Sequence, residues 1–387
     1  MIKHLATFVA ALLSSLLLTG CSDKKKDEPE PPVPPGSRTV LVYMVANNSL
    51  GGSDEYSGFD YNDRQEMIAA AENGDLGSSR WLVYYCSKYA APELQELTPD
   101  GFKTLKIYDS ATLSVSAERM KTVIADVKKF AAAERYGLVL WSHSSGWLQD
   151  GVVEARSTEN TLSFGDDNGK KMNITSLSDV LAGQGFDYIY ADVCFFNTVE
   201  VAYELKGAVK TIVGSTTQLP ANGQPYDKNL KLLAAYNADL ITAAANTFED
   251  YNSEMSSTKW CTMSVISTAG MNELAQATKR IFQSSSSTYP LNYNPQVLED
   301  ISACYYYDLS HFVEALSPAA FPEWEVALRN AVLYNAATEK LRGGTTIKSH
   351  CGLSTYILKS KANKTVKNYD TLAWYNDVAQ YQPLPKM

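Results

Sequence analysis

Residues 39–46 form a nearly unbroken apolar run, with no polar residue on alternate positions. A strand with one face in water alternates apolar and polar side chains; one covered on both faces does not. Such a run belongs in the middle of a sheet with helices on both sides, which excludes most all-β folds. Similar short runs recur at residues 81–86, 138–141, 186–190, 209–214 and 262–267, with a further strand expected at 102–108. Helical patterns lie between them. The clearest spans residues 117–136, where Met120, Val123, Ile124, Val127 and Phe130 recur at helical spacing before Gly137. Others are expected at 60–71, 198–205 and 229–249. Strands alternating with helices predict an α/β sandwich around a largely parallel sheet. After residue 270 the rhythm loosens. Helices are expected near 271–283, 309–316 and 324–336, then a strand at 353–358 and a last helix at 371–381. The expected organisation is a core at 38–270 and a smaller C-terminal α+β subdomain at 271–387 packed on it.

The N-terminus reads as an address. Lys3 precedes an apolar run over residues 5–18, of signal-peptide length and too short to span a bilayer comfortably. Leu18-Thr19-Gly20-Cys21 follows and resembles a bacterial lipobox, which implies a signal peptide at 1–20 and a lipid on Cys21. Residues 21–37, with Lys24-Lys25-Lys26 and a proline-rich stretch, cannot bury apolar surface and read as an extended tether. The expectation is an extracytoplasmic lipoprotein, held at the outer membrane or cell surface.

Composition narrows the function. The chain has 34 basic and 43 acidic residues, a net charge of −9, and no long basic run, which argues against nucleic acid. Six cysteines lie at wide, irregular spacings, without a Cys-x-x-Cys pair and with only four histidines, so a zinc cage is not expected. No cofactor is expected. Asp166-Asp167-Asn168-Gly169 could suggest calcium but lacks the alternating ligands and closing glutamate of an EF-hand.

Open parallel sheets hold ligands at the carboxyl ends of their strands. The 138–141 run leads into Ser142-His143-Ser144-Ser145-Gly146-Trp147, and the 186–190 run into Ala191-Asp192-Val193-Cys194. A thiol becomes a strong nucleophile when a base or a local field removes its proton, and imidazole does this near neutral pH. His143 precedes Cys194 by 51 residues, the order and approximate spacing of the caspases. His350 beside Cys351 is a rival pair, disfavoured because neighbours on a strand point to opposite faces.

The segments Val42–Leu50, Trp141–Trp147, Asp192–Glu200 and Gly214–Tyr226, with Asp308-Leu309 and Gly352–Tyr356, resemble in order the signatures of the clostripain family of cysteine peptidases. The resemblance implies a caspase-like fold and a His143–Cys194 dyad, with the oxyanion held by backbone N–H groups of Ser144 and Cys194. It implies a protein or peptide substrate, and a primary pocket formed by Asp192 and the 214–226 segment. Ser144 stands where the family usually has glycine, and Pro220-Ala221-Asn222-Gly223 replaces a stretch that can supply a second carboxylate. Asn222 and Gln218 are then the remaining polar wall residues, and some preference for a basic P1 side chain is expected. Some relatives are zymogens cut between histidine and cysteine; Arg156, Lys170 and Lys171 are the candidate sites here. A monomer is expected. A catalytically weak peptide-binding lipoprotein, or an acyl-transfer enzyme using the same residues, are the competing readings.

Overall fold

A computed structural model describes residues 33–385, apart from 149–162, 254, 286–287, 290–294, 302–303 and 360–367. The expected signal peptide, Cys21, most of the tether and Arg156 lie outside the described residues. In chain order the strands begin β1 (Arg38–Val45), β2 (Arg80–Cys86), β3 (Glu93–Thr98), β4 (Gly101–Ile107), β5 (Arg135–Trp141), β6 (Phe164–Asp167), β7 (Lys170–Met172) and β8 (Phe186–Asp192). They continue with β9 (Val209–Gly214), β10 (Thr262–Ser267), β11 (Thr288–Tyr289), β12 (Val297–Ile301), β13 (Cys304–Asp308), β14 (Val332–Ala337), β15 (Ser354–Thr355) and β16 (Leu384–Pro385). The first helices are α1 (Phe59–Glu72), α2 (Ala117–Phe130), α3 (Ile174–Leu181), α4 (Val199–Glu204) and α5 (Tyr226–Ala234). They are followed by α6 (Leu240–Asn252), α7 (Met271–Ser284), α8 (Leu309–Leu316), α9 (Phe321–Ala331) and α10 (Ala373–Asp377).

Nine strands form the main sheet, in the order β14-β10-β9-β8-β5-β1-β2-β3-β4. Its centre, β9-β8-β5-β1-β2, is parallel, and both flanks are antiparallel. The apolar run that opened the sequence is β1, buried at every position. Its two faces feed two cores. Leu41, Tyr43 and Val45 join α2, α3, α4 and α7, while Val40, Val42 and Met44 join α1, α5 and α6. The period-2 geometry of a strand thus sorts one run into two layers.

Several boundaries differ from the sequence expectation. The helix expected at 229–249 is two helices: α5 ends at Ala234, and Asp239 caps α6 by accepting the Thr242 N–H at 3.0 Å. The helix expected at 324–336 stops at Ala331, and the next residues become β14, paired antiparallel with β10. Sheet pairing there overrides a helical pattern. β14, from beyond the expected boundary at residue 270, returns to the main sheet, and all described residues belong to one compact unit. The strand expected at 353–358 shrinks to β15, and the last helix to α10 flanked by short 3-10 turns. The β6–β7 hairpin was not expected; its four-residue and three-residue strands are too short to show a period.

Candidate active site

β5 and β8 are adjacent and parallel, with Trp141 paired to Asp192. His143 and Cys194 each lie two residues beyond that last pair. The register therefore delivers both side chains to one edge of the sheet, where they line a common cavity of about 650 Å³. The two loops are locked together behind them. Gly146 has φ +66°, and a Cβ there would sit 2.4 Å from the Phe195 carbonyl oxygen, so only glycine lets the histidine loop lie against the cysteine loop. Phe195 itself takes φ +56°, unusual for a bulky residue. Its N–H donates to the Thr217 carbonyl at 2.8 Å and its ring lies 4.7 Å from that of Tyr306, so the turn that presents Cys194 is held from two sides.

The Cys194 sulphur accepts the Leu219 N–H at 3.4 Å. Burial pushes the thiol up to about 12; Glu299 and Asp192 add to this, while the Leu219 N–H and Arg342 oppose it. At neutral pH the resting group is a thiol, so attack requires a base. His143 shares the cavity, and its Nε2 lies 2.8 Å from Ser49 Oγ.

Ser144 keeps a backbone donor beside the histidine. Its side chain turns aside, donating to the Ser163 carbonyl and accepting the Gly146 N–H at 3.0 Å.

Asp192 forms part of the cavity floor and is almost wholly buried. Its Oδ2 accepts the Tyr226 hydroxyl at 2.8 Å and the Gln224 N–H at 3.3 Å. Gly223, at φ +67°, fits against it; a Cβ there would stand 2.9 Å from both carboxylate oxygens. Burial lifts Asp192 to about 7, with Glu66 adding repulsion and the two hydrogen bonds opposing. Behind it, Asp63 accepts the Trp141 indole N–H at 2.5 Å and is held well above the usual carboxylate range by burial and by Asp192. Glu66 accepts the Tyr226 N–H at 2.9 Å and is raised to about 7, chiefly by burial.

Of the wall residues expected to face substrate, Gln218 lines the cavity but is engaged. Its side-chain amide oxygen Oε1 accepts from the Arg342 guanidinium, and its backbone N–H donates to Glu299 at 2.8 Å. Asn222 is exposed on the outer side of the turn and is absent from the cavity lining, where Gly223 stands instead. This corrects the expectation for Asn222: the tight turn that brings Gly223 against Asp192 rotates its neighbour outward.

Among the candidate processing residues, Lys170 is exposed on β7. Lys171 lines the cavity, with its ammonium 3.9 Å from Asp166. Both belong to a formed hairpin, a poorer cleavage site than an extended loop. The suggested calcium turn spends its carboxylates locally. Asp166 accepts the Gly169 N–H at 2.7 Å, and Asp167 accepts Asn47 and the Ser114 N–H at 2.8 and 2.7 Å. No set of three or more ligating side chains that could hold a metal occurs among the described residues.

Sequence reasoning missed Ser49, Asp63, Glu66, Glu299 and Arg342. Asp60, Asp63 and Glu66 recur every third residue of α1, a carboxylate stripe that could have been read as facing inward. Arg342 and Glu299 come from distant segments and carried no local signal.

A parallel-centred sheet that brings a histidine and a thiol to one cleft defines a cysteine hydrolase of caspase-like architecture. The comparisons agree. The clostripain family model matches residues 42–385, and the chain belongs to that family of cysteine peptidases. Its structure resembles an inactive zymogen C11 protease from Parabacteroides distasonis, with 28% identity, TM-score 0.75, and coverage of 89% of this chain and 98% of that one. It also resembles a secreted C11 cysteine protease from Bacteroides thetaiotaomicron bound to an irreversible peptide inhibitor, with 28% identity, TM-score 0.72, and coverage of 88% and 99%. A secreted C11 cysteine protease from Bacteroides thetaiotaomicron called iotapain shares the fold at 23% identity, with TM-score 0.76 and coverage of 89% and 99%. No match was found among curated proteins.

Proposed function

We propose that this peptidase is an extracytoplasmic, lipid-anchored endopeptidase that uses a His143–Cys194 dyad and favours a basic P1 side chain. The observation that carries the dyad is the register of β5 and β8, with both residues lining one cavity. In the first step Cys194 Sγ attacks the scissile carbonyl carbon as its proton passes to His143. The tetrahedral oxyanion is stabilised by the backbone N–H groups of Cys194 and Ser144. Collapse expels the amine, which takes the proton from His143 and leaves a thioester on Cys194. Water then attacks that thioester with His143 as base, and the acid product departs.

Asp192 supports the basic preference. Behind it, outside the cavity lining, the carboxylates of Asp63 and Glu66 repel it, and a cation beside Asp192 would offset that repulsion. The secreted relatives and the apolar run before Cys21 support export and anchoring. Among the described residues no helix is long and apolar enough to cross a membrane.

Purified wild-type protein, Cys194→Ala and His143→Ala should be compared on a peptide library. Cleavage is expected in wild type alone, and equal cleavage by either variant would refute the dyad. Cys21→Ser should abolish incorporation of labelled fatty acid; retained label would refute the anchor.

A further inference from the structure

The dyad reading leaves open what holds the imidazole. A histidine that shuttles a proton needs a fixed ring plane and a fixed tautomer, and both are set by the partner of its second nitrogen. The Ser49 hydroxyl is placed for this at 2.8 Å from His143 Nε2. Ser49 sits in the turn after β1, and that turn is built around its neighbour. Asn48 donates through its side-chain amide to the Val45 carbonyl at 2.8 Å, the Asp166 carbonyl at 2.8 Å and Ser142 Oγ at 3.3 Å. The same side chain accepts the Leu50 N–H at 2.9 Å. Ser142, directly before the histidine, donates to the Val45 carbonyl at 2.8 Å and accepts the Asp166 N–H at 3.0 Å. Gly51 closes the turn where a Cβ would lie 2.2 Å from the Ala46 carbonyl oxygen. Three segments, the end of β1, the end of β5 and the β6–β7 hairpin, are therefore tied together around Asn48 and Ser142. Ser49 inherits that rigidity although it is itself exposed.

We propose that Ser49 is a positioning residue for the reaction: its hydroxyl accepts the Nε2 proton of His143 and helps hold the ring plane and the Nε2–H tautomer for proton exchange with Cys194. This rests on the dyad reading. In the imidazolium that forms after thiol deprotonation, Nε2–H still donates to Ser49, so the contact persists through the proton transfer and favours the charged ring. A neutral hydroxyl does this more weakly than a carboxylate. Asp166, Lys171, Asp192 and Arg342 line the same cavity, and substitution at Ser49 leaves all four in place.

The test measures kcat, KM and the pH profile of kcat/KM on a peptide that wild type cleaves. With a neutral resting thiol, the acid limb reports protonation of His143. Ser49→Ala should lower kcat about threefold to tenfold with little change in KM, the effect of losing one neutral hydrogen bond. Its acid limb should move to lower pH, because the imidazolium loses an acceptor. Ser49→Thr should restore both values. Ser49→Asp should move the acid limb to higher pH, because a carboxylate favours the charged ring. Imidazole ¹⁵N shifts in the Cys194→Ala background should show a ring protonated at Nε2 with Ser49 and a smaller Nε2-protonated fraction with Ser49→Ala, and this reading needs no turnover. Wild-type kcat and acid limb in Ser49→Ala, a fall in kcat without movement of the limb, or an unchanged tautomer would each overturn the proposal. Full activity in His143→Ala would instead overturn the dyad, so the two failures are told apart.

Discussion

The chain carries two histidine–cysteine pairs, and they differ in every respect that matters to chemistry. His350 and Cys351 are adjacent in sequence. His350 Nε2 lies 3.0 Å from Thr216 Oγ1, while the Cys351 sulphur donates to the Leu353 carbonyl at 3.3 Å. Burial lowers His350 to about 4 and raises Cys351 well above the ordinary thiol range. Neither lines the cavity that His143 and Cys194 share. His143 and Cys194 are 51 residues apart, yet the adjacent parallel strands β5 and β8 lead both into the same cavity. Burial raises both thiols, but Cys194 is only partly buried and opens onto the cavity, whereas Cys351 is buried. What separates the pairs is that His143 and Cys194 line one open cavity and His350 and Cys351 do not.

The largest effect should break this comparison outright. Cys194→Ala should reduce peptide cleavage by more than ~10³-fold, as expected when a nucleophile is removed. Cys351→Ala should leave turnover unchanged. Alkylation followed by mass spectrometry should label Cys194 in the folded protein and spare Cys86, Cys261, Cys304 and Cys351, which are all buried and free. Labelling of Cys351 at the rate of Cys194 would erase the distinction.

The difference between the pairs also shows what could be read from the chain alone. The central strands were legible because a strand buried on both faces tends to be apolar throughout: β1, β2 and β5 are nearly so, and β8, β9 and β10 keep short apolar stretches between polar residues. That His143 and Cys194 meet at one cavity was legible because each follows such a strand. β14 was not, since its residues continue a helical pattern and only pairing with β10 makes them a strand. Asn222 was misplaced because a turn decides side-chain direction through backbone angles that its residue types do not specify. Arg342 and Glu299 reach the site from segments with no pattern of their own, which only the folded chain brings near Gln218.

The next effect sharpens the role of the pocket floor. Asp192→Asn should lower kcat/KM for Arg or Lys at P1 by about 10–100-fold and leave neutral P1 substrates nearly unaffected, since only the charge-assisted contact is lost. The preference should also depend on pH. Asp192 is raised to about 7 by burial, so below that value it is largely protonated and gives a cation little attraction. The ratio of basic to neutral P1 cleavage should therefore rise as pH passes upward through about 7, and the rise should be absent in Asp192→Asn. A ratio flat from pH 5.5 to 8.5 in wild type would remove Asp192 from P1 selection.

The smallest effect belongs to the inert pair and concerns stability. His350 is held neutral in the fold, with its value lowered from 6.5 to about 4 by burial, against an opposing pull from Asp308. The unfolded chain takes up a proton at this residue near 6.5, and the folded chain only near 4. Between those values the unfolded state binds more protons, so stability falls as pH falls, and the loss is complete below about 4. His350→Gln can keep a polar contact to Thr216 but does not titrate. Its Tm should therefore fall less steeply than wild type between pH 6.5 and 4, with the two curves parallel above pH 7. Parallel curves for His350→Gln and wild type across the acid range would show that the buried imidazole carries no such linkage, and that exclusion from the cavity alone sets the two histidines apart.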